Sequence, residues 1–225
     1  GGLATGVSTL AKLLNPNVKV IGVEPEGASC MKASLKAGKV VTLDSANTIA
    51  DGTGVKTPGT KIFPYIQKNL DDIITIPDEE LIVAFLDMVE NHKMVVENSG
   101  LLTVAALKHL DFKKKKVVSI LSGGNMDIIT MSSTLQHGLI ERGRIFTISV
   151  LLPDKPGELV KVANVIAEAQ GNVVKLEHNQ FVSINRNAAV ELKITLESFG
   201  NEHKAEIIKA LETKGYNPKL EVPVL

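Results

Sequence analysis

Two hydrophobic patterns follow one another along the 225 residues of the chain. Up to about Ile129, short runs rich in valine and isoleucine alternate with stretches whose apolar residues recur at helical spacing. Strands are predicted at residues 18–25, 71–77 and 116–124. Helices are predicted at residues 7–17, 27–38, 79–93 and 99–110, with Asp78 as the cap of the third. Because the strands are almost continuously apolar, we predict an α/β domain with a parallel sheet flanked by helices.

The pattern changes after residues 136–144, which we interpret as a hinge. Strands are predicted at residues 145–153, 172–184, 188–198 and 216–222, the first of them half-exposed. Helices are predicted at residues 154–171 and 201–215, the first with Leu159, Val162, Ala163, Ile166 and Ala167 on its apolar face. The order βαββαβ indicates a ferredoxin-like domain. We therefore predict domains at residues 1–135 and 144–225, joined by a linker at residues 136–143.

Charge and cysteine content narrow the classes of function. Lys+Arg 25 and Asp+Glu 25 balance, so the whole chain has no charge bias toward nucleic acid or anionic lipid. The basic run at residues 113–116 lacks interleaved aromatics and is typical of a solvated loop. The single cysteine, Cys30, excludes an internal disulfide. No apolar run reaches the roughly 18 residues of a membrane span. We expect a cytoplasmic protein that binds neither nucleic acid nor membranes.

Three features of the first half invite a chemical interpretation. The opening "GGLATG" precedes a predicted helix, and free backbone N–H groups at a helix start attract phosphate; a plain tight turn is the alternative. Ser122 lies in "LSGGN" at the end of a predicted strand, where ligands of parallel sheets bind, although a simple turn also explains it. Glu97, in "VVENSG", is by itself better explained as a helix N-cap.

Taken in order, the motifs are more specific than any one of them. "GGLATG", "VEPEGA", "TIADGTGVKTPG", "VVENSGLLTVAAL" and "SILSGGNMD" occur between residue 1 and about residue 130. Together they resemble the C-terminal part of the catalytic domain of the threonine ammonia-lyase (threonine dehydratase) family, which are fold-type II pyridoxal phosphate enzymes. The resemblance implies a pyridoxal 5'-phosphate (PLP) lyase that converts threonine, and serine secondarily, to a 2-oxoacid and ammonia, with 2-oxobutanoate as the product from threonine.

The same resemblance implies a set of cofactor contacts. Gly1 and Gly2 would be the last two glycines of the family's phosphate loop, with the amide of Leu3 also facing the phosphate. Gly52 and Glu97 would lie close to the cofactor ring, and Ser122 would hydrogen-bond its pyridine nitrogen. A neutral hydroxyl there leaves that nitrogen unprotonated, which suits an elimination that needs only modest carbanion stabilisation.

Two departures from the family pattern change the expectation. The family's Schiff-base lysine precedes the glycine loop, and Lys36, in the similar-looking residues 34–39, is interpreted as a solvated helix lysine. We therefore expect a fragment without catalytic residues, inactive alone. Related enzymes hold a divalent cation at positions matching Glu24, the carbonyl of Ala28 and Cys30. A thiol in place of the family's aspartate suits hard cations poorly, so no metal is expected.

The second half resembles an ACT domain, an amino-acid-sensing module, over residues 144–225. The residues that carry the resemblance are Asp154, Pro156, Gly157, Leu159, Gly171 and Asn172. The backbone amides around Gly157 and Glu158 are candidates to bind a ligand carboxylate, while a purely structural N-cap role for Asp154 carries equal weight. Isoleucine or valine would be the effector of a biosynthetic enzyme of isoleucine; another ligand, or assembly alone, are the alternatives. His178 is expected to be a polar surface residue.

Assembly and function leave alternatives open. Edge strands of such a βαββαβ module pair readily, so we expect a homodimer or homotetramer. The leading hypothesis is a threonine ammonia-lyase with allosteric regulation by an amino acid. The alternatives are a non-catalytic module that binds amino acids or assembles subunits through the second domain, and a related serine dehydratase or racemase.

Overall fold

The computed structural model describes residues 1–180 and 190–223. It divides the chain into two compact units, Gly1–Thr134 and Leu135–Leu225. The loop residues 185–187, predicted to join two strands, lie outside the described residues. Among the helices of the described part, none combines the length and apolarity needed to cross a membrane.

The first unit alternates helices with two strands. Its elements are α1 (Gly2–Leu14), β1 (Ile21–Pro25), α2 (Cys30–Ala37), α3 (Phe63–Asn69), β2 (Asp72–Ile76), α4 (Asp78–Asp87) and α5 (Asn98–Ala105). The two strands are parallel, with Ile21 opposite Asp72 and Pro25 opposite Ile76. Ile66, Ile76, Leu81, Phe85 and Leu101 are completely buried and form much of its core. Gly38 ends α2 in the left-handed conformation, as the sequence predicts.

One predicted strand of this unit is wrong, and so is the tight turn given as the alternative for "GGLATG". Residues 116–124 form no strand; Val118 is 87% exposed, and the segment bonds to a helix instead of to a neighbouring strand. A valine-rich run forms a strand only where a partner strand satisfies its backbone, and periodicity does not reveal the partner. The "GGLATG" stretch is not a turn either, because α1 already begins at Gly2.

The second unit is a four-stranded antiparallel sheet with two helices. Its elements are β3 (Ile145–Leu152), α7 (Glu158–Glu168), β4 (Asn172–Asn179), β5 (Val190–Glu197), α8 (Asn201–Thr213) and β6 (Lys219–Glu221). The strands lie in the order β4-β5-β3-β6. Side chains from β3, β5, α7 and α8 form one buried cluster, which includes Ile148, Leu192 and Ile207. The predicted order of elements is therefore found.

Three details of this unit differ from the predictions. A helix, α6 (Ile128–Glu141), contains the boundary between the units and occupies most of the predicted linker 136–143. Strand β3 is almost wholly buried rather than half-exposed, because β5 and β6 flank it on both sides. On α7 the buried residues are Val162, Val165 and Ile166, whereas Leu159 is 38% exposed.

Candidate functional site

Helix α5 is the element on which the candidate site is built. Leu101 and Ala105 are buried and fix the helix in the core. The following segment, residues 119–125, lies along the helix with reversed direction. The Thr103 hydroxyl donates to the Ile120 carbonyl at 3.0 Å, and the Ser119 hydroxyl donates to the Thr103 carbonyl at 3.1 Å. One bond from a helix side chain and one to the helix backbone thus hold the segment, which explains how it keeps its place without a sheet partner.

The middle of this segment packs directly on the helix backbone. A Cβ atom on Gly100 would lie 2.1 Å from the Ser122 carbonyl oxygen, so only glycine permits this approach. The Glu97 N–H donates to the Gly123 carbonyl at 3.4 Å. Positions 97, 100 and 103 recur every three residues and therefore share one face of the helix. The contacts along that face place the backbone carbonyl of Ser122 beside the start of α5.

Glu97 stands at the start of α5 but does not cap it. Its backbone occupies the N-cap position without a side-chain capping bond. Instead, the carboxylate oxygen Oε2 accepts a hydrogen bond from the Asn125 N–H at 3.2 Å. Gly123 has φ +82°, and a Cβ atom there would lie 2.1 Å from the Glu97 carboxyl carbon. The cap interpretation is wrong because the carboxylate is turned toward the glycine segment.

The Gly52 loop reaches the same place from another part of the unit. The Asn98 side-chain amide donates to the Ile49 carbonyl at 3.1 Å. Asp78 accepts from the Thr48 hydroxyl at 2.6 Å and from the Ile49 N–H at 2.8 Å. Asp78 therefore anchors this loop. The prediction that it caps α4 is wrong, because no side-chain capping bond is present at the start of that helix. A Cβ atom on Gly52 would lie 2.8 Å from Ser99 Oγ and 3.4 Å from Glu97 Oε1.

We call this group the α5 cluster. It consists of Gly52, Glu97, Asn98, Ser99, Gly100, Ser122, Gly123 and Asn125. Within the described part of the chain, two buried side-chain polar atoms have no hydrogen-bond partner, Asn98 Oδ1 and Ser99 Oγ. Both belong to the cluster. Since buried polar atoms are almost always bonded in folded proteins, two such atoms at one place make it a candidate site for a ligand or for ordered water.

The structure does not bring Gly1, Gly2 and Leu3 into these contacts. All three are exposed at the start of α1, and the nearest side chains to Gly1 are those of Met31 and Ile62. The Thr5 N–H donates to the Gly1 carbonyl, so Gly2 and Leu3 fall in the first helical turn, whose N–H groups have no partner within the helix. A phosphate role for these amides stays a prediction.

The weak metal candidates form a different arrangement. The two carboxylate oxygens of Glu24 accept hydrogen bonds from the Met31 N–H at 2.8 Å and the Lys32 N–H at 2.9 Å. Burial raises the pKa of Glu24. Burial and the Glu24 charge raise the pKa of the Cys30 thiol. In the part of the chain that the structure describes, no three or more His, Cys, Asp or Glu side chains are grouped as metal ligands. The Glu24 carboxylate thus accepts hydrogen bonds from backbone N–H groups in the first turn of α2.

The residues predicted to bind an effector lie around two element starts in the second unit. Gly157, with φ +90°, precedes α7 as its N-cap residue, and no side chain caps the helix. The N-cap alternative for Asp154 is therefore wrong. Glu158 opens α7 and accepts from Lys161 at 2.7 Å. Asn172 opens β4 and donates to Glu197 at 3.1 Å. Pro156 and Leu159 flank the same turn, while His178 is exposed on β4, as predicted.

A comparison with protein families shows what the α5 cluster belongs to. Residues 1–123 match the family described as pyridoxal-phosphate dependent enzyme, which is more than half of the chain. The chain belongs to this family. The cofactor of this family is PLP. The matched region contains Gly52, Glu97, Ser99 and Ser122, so every member of the cluster except Asn125 lies within the part of the chain that matches the family.

Individual relatives carry related activities in their names. The L-threonine ammonia-lyase of Thermotoga maritima is 36% identical over 221 residues, which is 98% of this chain and 55% of that protein. The processed threonine deaminase isoform 2 of Solanum lycopersicum has a TM-score of 0.58 and 34% identity over 61% of this chain and 41% of that chain. Maize serine racemase has a TM-score of 0.55 and 36% identity over 60% of this chain and 44% of that chain. The chain spans about half the length of the curated relatives it matches.

The α5 cluster fits the family's cofactor in its chemistry. PLP is a flat ring with polar groups on its edge, and Gly52 presents backbone without a side chain. Ser99 supplies a buried hydroxyl without a partner, and Glu97 a half-buried carboxylate. The sequence predicts Gly52, Glu97 and Ser122 as site residues, but it indicates no role for Ser99 or Asn98 and only a helix cap for Asp78. Ser99 was within the "ENSG" motif, whereas only the structure reveals that Asp78 anchors a loop thirty residues away.

Proposed function

We propose that this chain forms part of a PLP-dependent threonine ammonia-lyase, which converts threonine to 2-oxobutanoate and ammonia and accepts serine as a second substrate. The observation that carries the proposal is the α5 cluster, which gathers three predicted cofactor contacts around two buried oxygen atoms without partners. The names of the relatives from Thermotoga maritima and Solanum lycopersicum support the choice of threonine.

The roles of the chain's own residues follow from their chemistry. When bound, PLP withdraws electrons from the substrate's α-carbon and so eases the loss of water. Ser122 offers a neutral hydroxyl to the pyridine nitrogen, and Glu97 holds Asn125 and the glycine segment in place through its carboxylate. Because Gly52 has no side chain, Ser99 Oγ and Glu97 Oε1 can approach its backbone at the proposed ring site. The amides of Gly2 and Leu3 suit the phosphate, because a helix start favours anions.

Binding of the cofactor class is tested most simply on the whole chain. Pyridoxine 5'-phosphate is the suitable probe, because it lacks the aldehyde with which PLP reacts at surface lysines. Gly123→Ala should weaken its binding at least tenfold, since a Cβ atom there meets the Glu97 carboxylate. Gly38→Ala is the matched control, because Gly38 also has positive φ but open space around it. Equal affinity in the two variants would contradict the site.

Activity is tested with a second polypeptide. The resemblance places the cofactor's lysine outside this chain, so the chain with PLP should release no 2-oxoacid from threonine or serine. Mixed with the part of the Thermotoga maritima relative that it does not match, it should release 2-oxobutanoate from threonine. Pyruvate from serine alone, or racemised serine, would favour the dehydratase or racemase alternative, for which the maize serine racemase is the supporting relative.

For the second unit we propose an ACT domain that binds an amino acid, with isoleucine or valine as the effector. Its support is the element order, the sheet order β4-β5-β3-β6 and the positive-φ Gly157 at the start of α7. Titration calorimetry of the whole chain with isoleucine, valine, threonine and serine should give heat with one of them. No heat from any would leave assembly into a homodimer or homotetramer as its role, which light scattering measures.

A non-catalytic role for the chain has one supporting observation. Lys36, in the segment that resembles the family's lysine motif, is exposed on α2. A chain that binds effector but neither pyridoxine 5'-phosphate nor PLP would favour this second candidate. The same titrations therefore separate the two functions.

A further inference from the structure

The hydroxyl of Ser99 is the least explained polar group in the described part of the chain. Its oxygen is buried and has no hydrogen-bond partner there. A serine hydroxyl can donate one hydrogen bond and accept two, so burial without any partner is costly. No polar group of the described residues bonds to this hydroxyl, although Ser99 Oγ and Glu97 Oε1 both lie near the position that a Cβ atom of Gly52 would take.

The position of Ser99 ties this unpaired hydroxyl to the candidate site. Ser99 Oγ lies 2.8 Å from where a Cβ atom of Gly52 would be, and the next residue, Gly100, abuts the carbonyl of Ser122. The hydroxyl therefore lies beside one predicted cofactor contact, Gly52, and the residue that follows it packs against another, Ser122. Asn98 Oδ1, the other unpaired buried oxygen, precedes it directly on α5. The Gly52 loop thus meets helix α5 at Ser99, and the glycine segment meets it at the next residue, Gly100.

We propose that Ser99 is a cofactor-binding residue, whose hydroxyl hydrogen-bonds the polar edge of PLP together with Ser122. This inference rests on the proposed cofactor site and adds a residue to it. A bound ligand with an oxygen or nitrogen acceptor would supply the partner that the folded chain does not. A trapped water molecule is the competing explanation, because water also satisfies buried polar groups.

The first test is the stability of the chain without ligand. Ser99→Ala removes an unpaired buried hydroxyl and should leave the thermal midpoint unchanged or raise it by up to about 4 °C. Ser34→Ala is the matched control, because the buried Ser34 hydroxyl donates to the Cys30 carbonyl at 2.7 Å and accepts from the Val41 N–H at 2.9 Å. This control should lower the midpoint by about 3–6 °C. A comparable loss in Ser99→Ala would overturn the proposal, since it would mean that Ser99 has a partner within the protein.

The second test is ligand affinity, measured by calorimetry with pyridoxine 5'-phosphate. Ser99→Ala should weaken binding about tenfold, Ser34→Ala should leave it unchanged, and Ser99→Thr, which keeps the hydroxyl, should bind within about threefold of the unsubstituted chain. Equal affinity of Ser99→Ala and the unsubstituted chain would overturn the role of Ser99 alone, and would favour water. No binding by the unsubstituted chain would overturn the cofactor site itself and Ser99 with it.

Discussion

Replacing Gly100 by alanine is expected to separate the glycine segment from α5. Gly100 is buried in the helix, and its new Cβ atom would lie 2.1 Å from the Ser122 carbonyl oxygen and 2.8 Å from a methyl carbon of Val96. Favourable contacts begin near about 3.5 Å, so the helix and the segment must move apart by more than about 1 Å. The obstacle is backbone on one side, which cannot move away as a flexible side chain would.

The size of the effect follows from two opposing contributions. Alanine is more favourable than glycine inside a helix by about 1 kcal/mol. Overpacking a buried position costs about 1–3 kcal/mol, and contact with a backbone carbonyl belongs at the upper end. We therefore expect Gly100→Ala to lower the free energy of unfolding by about 1–2 kcal/mol. Gly6→Ala in α1 should raise it by about 1 kcal/mol, because nothing lies within 4 Å of that Cβ atom.

Urea unfolding measures the two free energies, and hydrogen exchange followed by mass spectrometry locates the change. Amides of residues 98–105 and 119–125 should lose protection in Gly100→Ala and keep it in Gly6→Ala. Affinity for pyridoxine 5'-phosphate should fall in the first variant only. If Gly100→Ala were as stabilising as Gly6→Ala, with unchanged exchange and affinity, the packing of α5 against Ser122 would be refuted.

Other variants test the remaining interactions. Burial raises the pKa of Glu24 above the ordinary carboxyl value of 4.5. The stability that this group contributes is therefore present below pH 4.5 and is lost as the pH rises through the raised pKa. In urea titrations, the difference in unfolding free energy between the unsubstituted chain and Glu24→Gln should fall from pH 4 to pH 7. Hydrogen bonds from Lys12 and the Val20 N–H lower the pKa of Asp71. The difference in unfolding free energy between the unsubstituted chain and Asp71→Asn should therefore fall as the pH drops below about 4. For Glu24 or for Asp71, a difference that stays constant with pH would contradict the pKa shift assigned to that residue. His203 accepts from the Phe199 N–H at 3.1 Å, faces the Ala169 carbonyl at 2.7 Å and stacks on Phe199, so thermal unfolding of His203→Ala should reveal a loss of about 1–3 kcal/mol. His109→Ala, which breaks an exposed pair with Glu80, is its control and should cost less than about 1 kcal/mol; equal costs would argue against a stabilising role of the His203 hydrogen bonds.

The sequence predicts much of the backbone because local signals decide it. Strands β1 and β2 follow from short apolar runs, and the ends of α2 and α8 follow from glycine. Asp78 and Glu97 were misjudged because a capping rule considers only the next few residues, whereas the Thr48 hydroxyl and the Asn125 N–H come from distant parts of the chain. Long-range partners of this kind are not visible in a local pattern.

The candidate site also contains residues that the sequence predicts and one that only the structure reveals. Gly52, Glu97 and Ser122 were predicted because their motifs resemble a known family, and the structure brings these three together. Ser99 needed the structure, because an unpaired hydroxyl is defined by what does not bond to it. The failed strand at residues 116–124 shows the converse, since the same apolar run serves a sheet or a helix-bound segment depending on its neighbours.

The most direct test of the central claim, that the α5 cluster is a PLP site, is a backbone amide chemical-shift titration with pyridoxine 5'-phosphate. We expect the largest shifts at Gly52, Ser99, Gly123 and Asn125, with little change around Gly157. Shifts confined to other regions, such as the lysine-rich residues 113–116, would contradict it.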